Sequence, residues 1–400
     1  MQICIFTDHI GQQNFMPLSL TRPVDDLRIG ILTIREKWLN WLQINHYSRL
    51  VVEYLSGEFP EGQIRINSDC LWINSRVLPN QELINRIEQL KNGDAIYIGE
   101  TLAILKSDGT TSASHFNSNE VPKCSGNKVS GSGVVLTHFW DMLIHNGTEI
   151  EADLQFFNVK KLSETDTTQY FGSSPDNVFI SEKATIEPNC TFIADEGPIF
   201  IGDHAVIEAG SVIRGPVAIC DHAIVKSSAR IGDGTTIGPV CKAGGEITNS
   251  IFHSYSNKSH DGFVGNSIIG QWCNFGANTI TSNLKNDYHP VRLRNWKTKE
   301  YFEGGVQFFG TVMADHTKTA IHTKLNTGTV CGVSTNILSS KFTPAIIPSF
   351  TWLSDNGTMD YRIEKAISAM KAMMKRRSVE MNSEYESMIR SLYEQEKGSN

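Results

Sequence analysis

No apolar run in this chain approaches the length of a membrane span, and MQICIFTDHI at the N-terminus has neither a charged lead nor a long apolar core. A cytoplasmic location is therefore the expectation. There is no excess of positive charge: 36 Lys and Arg stand against 43 Asp and Glu, net −7. A nucleic-acid partner is therefore not expected, although local basic pockets for phosphate remain open. The eight cysteines show no Cys-x-x-Cys or metal-like spacing. This fits reduced thiols rather than a disulfide framework. Cys190, Cys220, Cys241 and Cys331 read as small core or turn residues of a repeat.

What the sequence does contain is a short period. Ile201, Ile207, Ile213, Ile219, Val225, Ile231 and Ile237 recur every six residues, each followed four residues on by a small or β-branched side chain such as Ala205, Ser211 or Ala223. An amphipathic helix repeats at 3.6 and a half-buried strand at 2, so neither accounts for six. The period predicts a left-handed parallel β-helix of hexapeptides, three to a triangular coil. The repeat begins near Asn177 with Ile180, Ile186 and Phe192, slips by three residues at 195–198, and breaks after Lys242. It resumes at Ile269 and Phe275, expels a long insertion after Asn283, and is expected to return at Phe309, Ile321, Thr327 and Val333. Loops thrown out of a solenoid usually carry its binding face.

At 400 residues the chain is too long for one core. Ahead of the repeats, QICIF reads as a first strand and Thr33 to Leu42 as a helix. RLVVEYL and QIRIN-SDCLWIN read as strands, ELINRIEQLKNG as a helix ended by Gly93, and AIYIGETLAILKS as a strand pair. The polar stretch 108–132 reads as a loop, and 138–157 as a helical connection into the repeats. Strands alternating with helices predict an α/β domain over 1–170, followed by the β-helix over 171–345 and a helical extension over 346–400. In the extension, Ile363, Ile367, Met370, Met374, Met381, Tyr385, Met388 and Leu392 mark one long amphipathic helix interrupted by Arg377.

The richest segment is NKSHDGFVGNSIIGQWCNFGANTITSN, residues 257–283, where the period breaks. His260 suits proton transfer near neutral pH, Lys258 can hold a phosphate, and Asn274 and Asn283 can hydrogen-bond sugar hydroxyls or an amide. Each also reads as an ordinary turn residue, and asparagines inside a β-helix stack as ladders.

This segment resembles the acetyltransferase region of the bacterial bifunctional enzymes that make UDP-N-acetylglucosamine. The elements shared in order are Lys258, His260, Phe263, Gly265, Asn274, the turn Gly276-Ala277-Asn278-Thr279, and Asn283. The resemblance implies that His260 is the general base toward an amino-sugar 1-phosphate and that Lys258, Asn274 and Asn283 hold that substrate. It also implies that Ala277, Thr311 and Thr329 line an acetyl-CoA groove and that the β-helices assemble as a homotrimer. The turn before the histidine is one residue shorter than is usual, and Phe263 stands where a tyrosine is common. The family's Arg and Lys on the preceding coils have no clear counterpart; Lys242, Lys285, Arg292 and Arg294 are candidate replacements.

The N-terminal stretch PLSLTRPVDDLRIGILTIREKW, joined to a hexapeptide domain, resembles a divergent branch of sugar-phosphate nucleotidyltransferases. The implied reaction joins a nucleoside triphosphate (UTP or dTTP) to a sugar 1-phosphate and releases pyrophosphate, with Mg²⁺ bridging the phosphates. The family's Gly-rich phosphate loop is absent, and Gly11 stands alone in that region. Arg22 and Lys37 are the candidate phosphate contacts and Asp69 the candidate metal carboxylate. Arg22 equally reads as the salt-bridge partner of Asp25 or Asp26, and Asp69 as a strand-end turn. A single working site, or a binding scaffold without turnover, remains as an alternative to two active sites.

Overall fold

The structure is a computed structural model that describes residues 1–400 except 61–67, 119, 165–169, 303–304 and 399–400. It divides into two compact units. The first comprises Met1–Phe15, Arg22–Leu27 and Leu32–Phe139; the second comprises Met16–Thr21, Arg28–Ile31 and Trp140–Asn400.

In the first unit, β1 (Gln2–Phe6), β2 (Ser48–Leu50), β3 (Cys70–Asn74), β4 (Ala95–Ile98), β5 (Thr101–Ser107) and β6 (Lys128–Ser130) form one sheet in the order β2-β1-β3-β5-β4-β6. β1 is parallel to both β2 and β3, while β4 and β5 form the expected antiparallel pair. β3 is buried along its whole length, as the run Cys-Leu-Trp-Ile-Asn in a central strand requires. Helix α1 covers His9–Asn14 and α2 covers Ile34–Trp41. α2 starts at a capping box, in which Thr33 accepts from the Glu36 N–H and the Glu36 carboxylate accepts from the Thr33 N–H. Helix α3 spans Gln81–Gln89. The polar stretch expected to be a loop contains helix α4 (Gly109–Ser118) and the edge strand β6. Asp108 explains the helix: its carboxylate accepts the Thr111 N–H and hydroxyl at the helix start. The strand read over QIRIN falls on residues outside the described set.

In the second unit, α5 (Asp141–Asp153) leads into the left-handed parallel β-helix. Its first face is a ten-stranded sheet. Ile201, Ile219 and Ile237 stack there one coil apart, then Phe252, Ile269, Met313, Cys331 and Ile347. All eight of these side chains are 0% exposed, and burial of each one other than Cys331 stabilises the prism by about 1.5–3 kcal/mol. The step from Ile180 to Ile201 contains the three-residue slip. The phase expected beyond the insertion is wrong. Ile321 is 68% exposed, and the inward positions are Met313, Thr319, Leu325, Cys331 and Ile337. The insertion resets the count, and two inward sites are held by threonine or cysteine, so the aliphatic signal pointed to corner residues instead.

The solenoid closes with a hairpin of Thr351–Ser354 on Gly357–Asp360. The long C-terminal helix is in fact two, α6 (Ile363–Lys375) and α7 (Ser383–Lys397). Asn382 caps α7 by accepting the Tyr385 N–H, which is why the stripe breaks around Arg377. Met370, Met374, Met388 and Leu392 are buried, and Tyr385 reaches His316 on the solenoid at 2.9 Å.

Candidate functional sites

Three corners join the faces of the prism. On the second face the inward row runs Ile207, Val225, Ala243 and Lys258; on the third it runs Ile213, Ile231, Ile247 and Val264. Passing from the second face to the third takes six residues from Val225 to Ile231 but four from Ala243 to Ile247. The corner at Gly244-Gly245 is therefore pulled inward. Gly244 is needed there, because a Cβ would lie 2.4 Å from the Ser259 carbonyl. The next corner, Ser259-His260-Asp261-Gly262, has the full six-residue step, and so it projects beyond the corner below.

His260 sits on that overhang, exposed, and among the described residues its imidazole makes no hydrogen bond. Ala277 lies on the same corner one coil on, half-buried, with its carbonyl taken by the His322 N–H. Phe263 begins the third-face strand beyond His260. A Cβ at Gly265 would lie 2.4 Å from the Phe263 ring and 2.8 Å from the Asn283 amide, so ring and amide meet over that glycine. Asn283 donates to Asn266 at 2.7 Å. Asn274 is elsewhere, on the outer row of the second face, where it accepts from Asn257 at 2.8 Å and bridges Lys318. The two asparagines expected to hold one sugar thus lie on different faces, each in an asparagine pair.

Other expected residues are placed differently from their assigned roles. Lys258 is 1% exposed and points into the prism, where Nζ donates to the carbonyls of Gly244 and His260, each at 2.8 Å. It cannot reach a phosphate outside. Burial pushes its ammonium down to about 8, against a smaller opposing pull from Asp261. Thr311 and Thr329 are both 0% exposed. Thr311 donates to the Thr329 carbonyl and Thr329 pairs with Thr343, each at 2.9 Å, so neither hydroxyl faces a groove. Lys285 pairs with Asp287 at 3.2 Å in the insertion, and Arg292 and Arg294 both stack on Tyr301.

In the first unit, a cavity of about 500 Å³ opens at the C-terminal ends of β1 and β3, lined by Phe6 and Asn74. β2 and β3 flank β1 on its two edges, and among parallel strands a ligand crevice forms at the carboxyl ends where the strand order changes direction. Tyr97, Lys123 and Lys128 complete its polar wall, with the Lys128 ammonium 5.2 Å from the Tyr97 ring centre. Neither lysine has an ion-pair partner among the described residues. Asp8 is the only carboxylate in the lining. It accepts from Arg76 at 2.8 and 2.5 Å, from Asn74 at 2.9 Å and from the Gly11 N–H at 2.9 Å. Burial alone would push that carboxyl up, but these donors outweigh it and hold it below the usual range.

The residues expected to bind nucleotide are not in this lining. Arg22 and Lys37 are 5% and 1% exposed. Asp25 and Asp26 are bound by Arg49, and Asp26 also by Arg35. Asp69 is exposed and immediately precedes β3, and the strand QIRIN that it was expected to follow lies outside the described residues. At about 3.3 Å per residue it stands roughly 16 Å from Asn74, at the wrong end of the strand for the cavity. Among the described residues no three His, Cys, Asp or Glu side chains cluster as metal ligands. Sequence reasoning missed Asp8, Tyr97, Lys123 and Lys128. The available signal was Thr7-Asp8 directly after the first strand.

Residues 3–161 match the sugar nucleotidyl transferase family. The chain is 44% identical over 87 residues to the bifunctional protein GlmU of Methanococcus vannielii, a match covering 22% of this chain and 20% of that one. It is 32% identical over 165 residues to a bifunctional sugar-1-phosphate nucleotidylyltransferase/acetyltransferase of Sulfurisphaera tokodaii, covering 40% of each. The matches thus span less than half of these curated relatives. Among solved structures, AntD, an N-acyltransferase from Bacillus cereus in complex with dTDP and 3-hydroxybutyryl-CoA, aligns with 55% of this chain and 98% of its own. That alignment has 13% identity and a TM-score of 0.21.

Proposed function

We propose that this chain carries out two group transfers in sugar-nucleotide synthesis. The β-helix transfers acetyl from acetyl-CoA to the amine of an amino-sugar 1-phosphate. The first unit transfers a nucleotidyl group from UTP or dTTP to a sugar 1-phosphate. The observation that carries this reading is the union in one chain of a matched sugar nucleotidyl transferase region with a β-helix whose period breaks at an exposed, unpartnered imidazole. The bifunctional names of the relatives agree with it.

In acetyl transfer, the neutral amine of the sugar attacks the thioester carbon. His260 takes the proton that nitrogen loses as the C–N bond forms, the C–S bond breaks, and the departing thiolate takes that proton back. The exposed imidazole of His260, on a corner that projects beyond the one below, is open to the sugar, and Asn283 offers its amide at the far end of the Phe263 strand. The half-exposed groove past Ala277 is the path for the coenzyme A arm. Exposed Ile280, Ile321 and Phe342, at 41%, 68% and 59%, support assembly as a homotrimer, which light scattering tests.

In nucleotidyl transfer, a phosphate oxygen of the sugar phosphate attacks the α-phosphorus, and the bond to the β-phosphate breaks to release pyrophosphate. Lys123 and Lys128 supply the positive charge that this step needs. The lining does not fit a resident magnesium ion, because Asp8 is already committed to Arg76, Asn74 and Gly11. The same observation favours a second reading, in which the first unit binds nucleotide or sugar phosphate without turnover.

A paired assay separates these readings: pyrophosphate release from UTP or dTTP, and CoA release from acetyl-CoA, on a panel of sugar phosphates and amino-sugar phosphates. Unchanged CoA release in His260→Ala would refute the base. Nucleotide-dependent thermal stabilisation without pyrophosphate would select binding alone.

A further inference from the structure

We infer that Lys258 is a positioning residue for His260, acting from inside the prism; this rests on the proposed role of His260 as base. A lysine at an inward position of a β-helix is costly, because its charge leaves water for an apolar interior. The residues before it in the same row are Ile207, Val225 and Ala243, and Lys258 itself is 1% exposed.

The geometry shows what the lysine secures. One N–H of Nζ reaches the Gly244 carbonyl at 2.8 Å and another reaches the His260 carbonyl at 2.8 Å. The first belongs to the retracted corner and the second to the overhanging corner above it. The Gly244 N–H in turn donates to the Lys258 carbonyl at 2.7 Å. The Glu246 N–H also reaches the Gly262 carbonyl, at 3.2 Å, so backbone bonds join the two corners at their ends, and the ammonium adds one bond across the coils to Gly244 and one within its own corner to His260. From the other side, the Asp261 carbonyl accepts the Asn278 N–H at 2.9 Å. The His260 backbone is thereby held from inside the prism by Lys258, which is itself tied to Gly244 on the coil below, and its neighbour Asp261 is held from above by Asn278. The imidazole itself is left to solvent and substrate.

Such a strut belongs to the rate of the chemical step and not to substrate affinity. A base displaced by about an ångström loses much of its effect even when binding is intact. The test is a double-mutant cycle on the full chain with Lys258→Met, His260→Ala and the pair, measured as kcat and KM for CoA release. Lys258→Met keeps the length of the side chain and removes its donors. The expected result is a fall in kcat of at least about tenfold with KM for both substrates within about twofold, and no further loss when Lys258→Met is added to His260→Ala. Should Lys258→Met fail to fold, Lys258→Leu, which also removes the donors and leaves a smaller apolar side chain, replaces it in the same cycle under the same criteria. A folded variant with wild-type kcat overturns the inference, as does a loss that multiplies with that of His260→Ala. Full activity in His260→Ala alone would instead remove the base assignment, and with it the premise.

Discussion

From pH 7 to pH 10 the wild-type protein should gain about 2–3 kcal/mol of unfolding free energy relative to Lys258→Met. Burial pushes the Lys258 ammonium from 10.5 down to about 8. Below pH 8 both the folded and the unfolded chain hold this proton, and the folded state bears the whole cost of a buried charge. Between pH 8 and 10.5 the unfolded chain binds more protons than the folded one, so stability rises with pH. At about 1.36 kcal/mol per pKa unit, the separation amounts to roughly 3 kcal/mol once both states are neutral, and most of it falls between pH 7 and 10. Methionine does not titrate, so subtracting the variant cancels the pH dependence of every other group. Urea unfolding followed by far-UV circular dichroism at several pH values gives the two curves. Parallel curves would refute the reasoning, since they would mean that Lys258 keeps an ordinary affinity for its proton and is not buried inside the prism.

Asp8→Ala should cost the first unit about 3 kcal/mol, because Arg76, 1% exposed, loses its carboxylate; calorimetry reads this as earlier melting. Replacing both Lys123 and Lys128 by alanine should weaken UTP binding by at least about tenfold at low salt and flatten its salt dependence, as titration calorimetry would report. Gly265→Ala should displace Phe263 and Asn283, since the new Cβ would stand 2.4 and 2.8 Å from them. Both contacts are side-chain tips, so CoA release should fall while the melting temperature barely moves. Thr33→Ala should lose about 1 kcal/mol with the capping box at α2, measured by chemical denaturation.

The coil architecture was legible in the sequence because every inward site from Ile201 to Ile237 is aliphatic and evenly spaced, and a six-residue step has one structural meaning. Legibility ended where the inward sites changed chemistry. Thr319 and Cys331 carry the phase after the insertion without an apolar signature, so corner residue Ile321 was mistaken for core. Lys258 misled for the same reason: a charged side chain is ordinarily outside, and only the stacking on Ala243 turns it inward. The break in the C-terminal helix was visible as Arg377, but its cause, the Asn382 cap, was not singled out.

The sequence by itself determined the prism, the α/β character of the first unit and the segment where the solenoid changes step, since these follow from local spacing and composition. Only the tertiary structure decided which side chains face which way. It moved Lys258 from the surface into the interior and put Asn274 and Asn283 on different faces. It buried Thr311 and Thr329, and it left Asp69 at the far end of β3 from a cavity whose lining comes from strands and loops distant in the chain. Spacing along a chain is set by local geometry. What meets across coils and strands is set by register, and register depends on the whole of each element finding its partner.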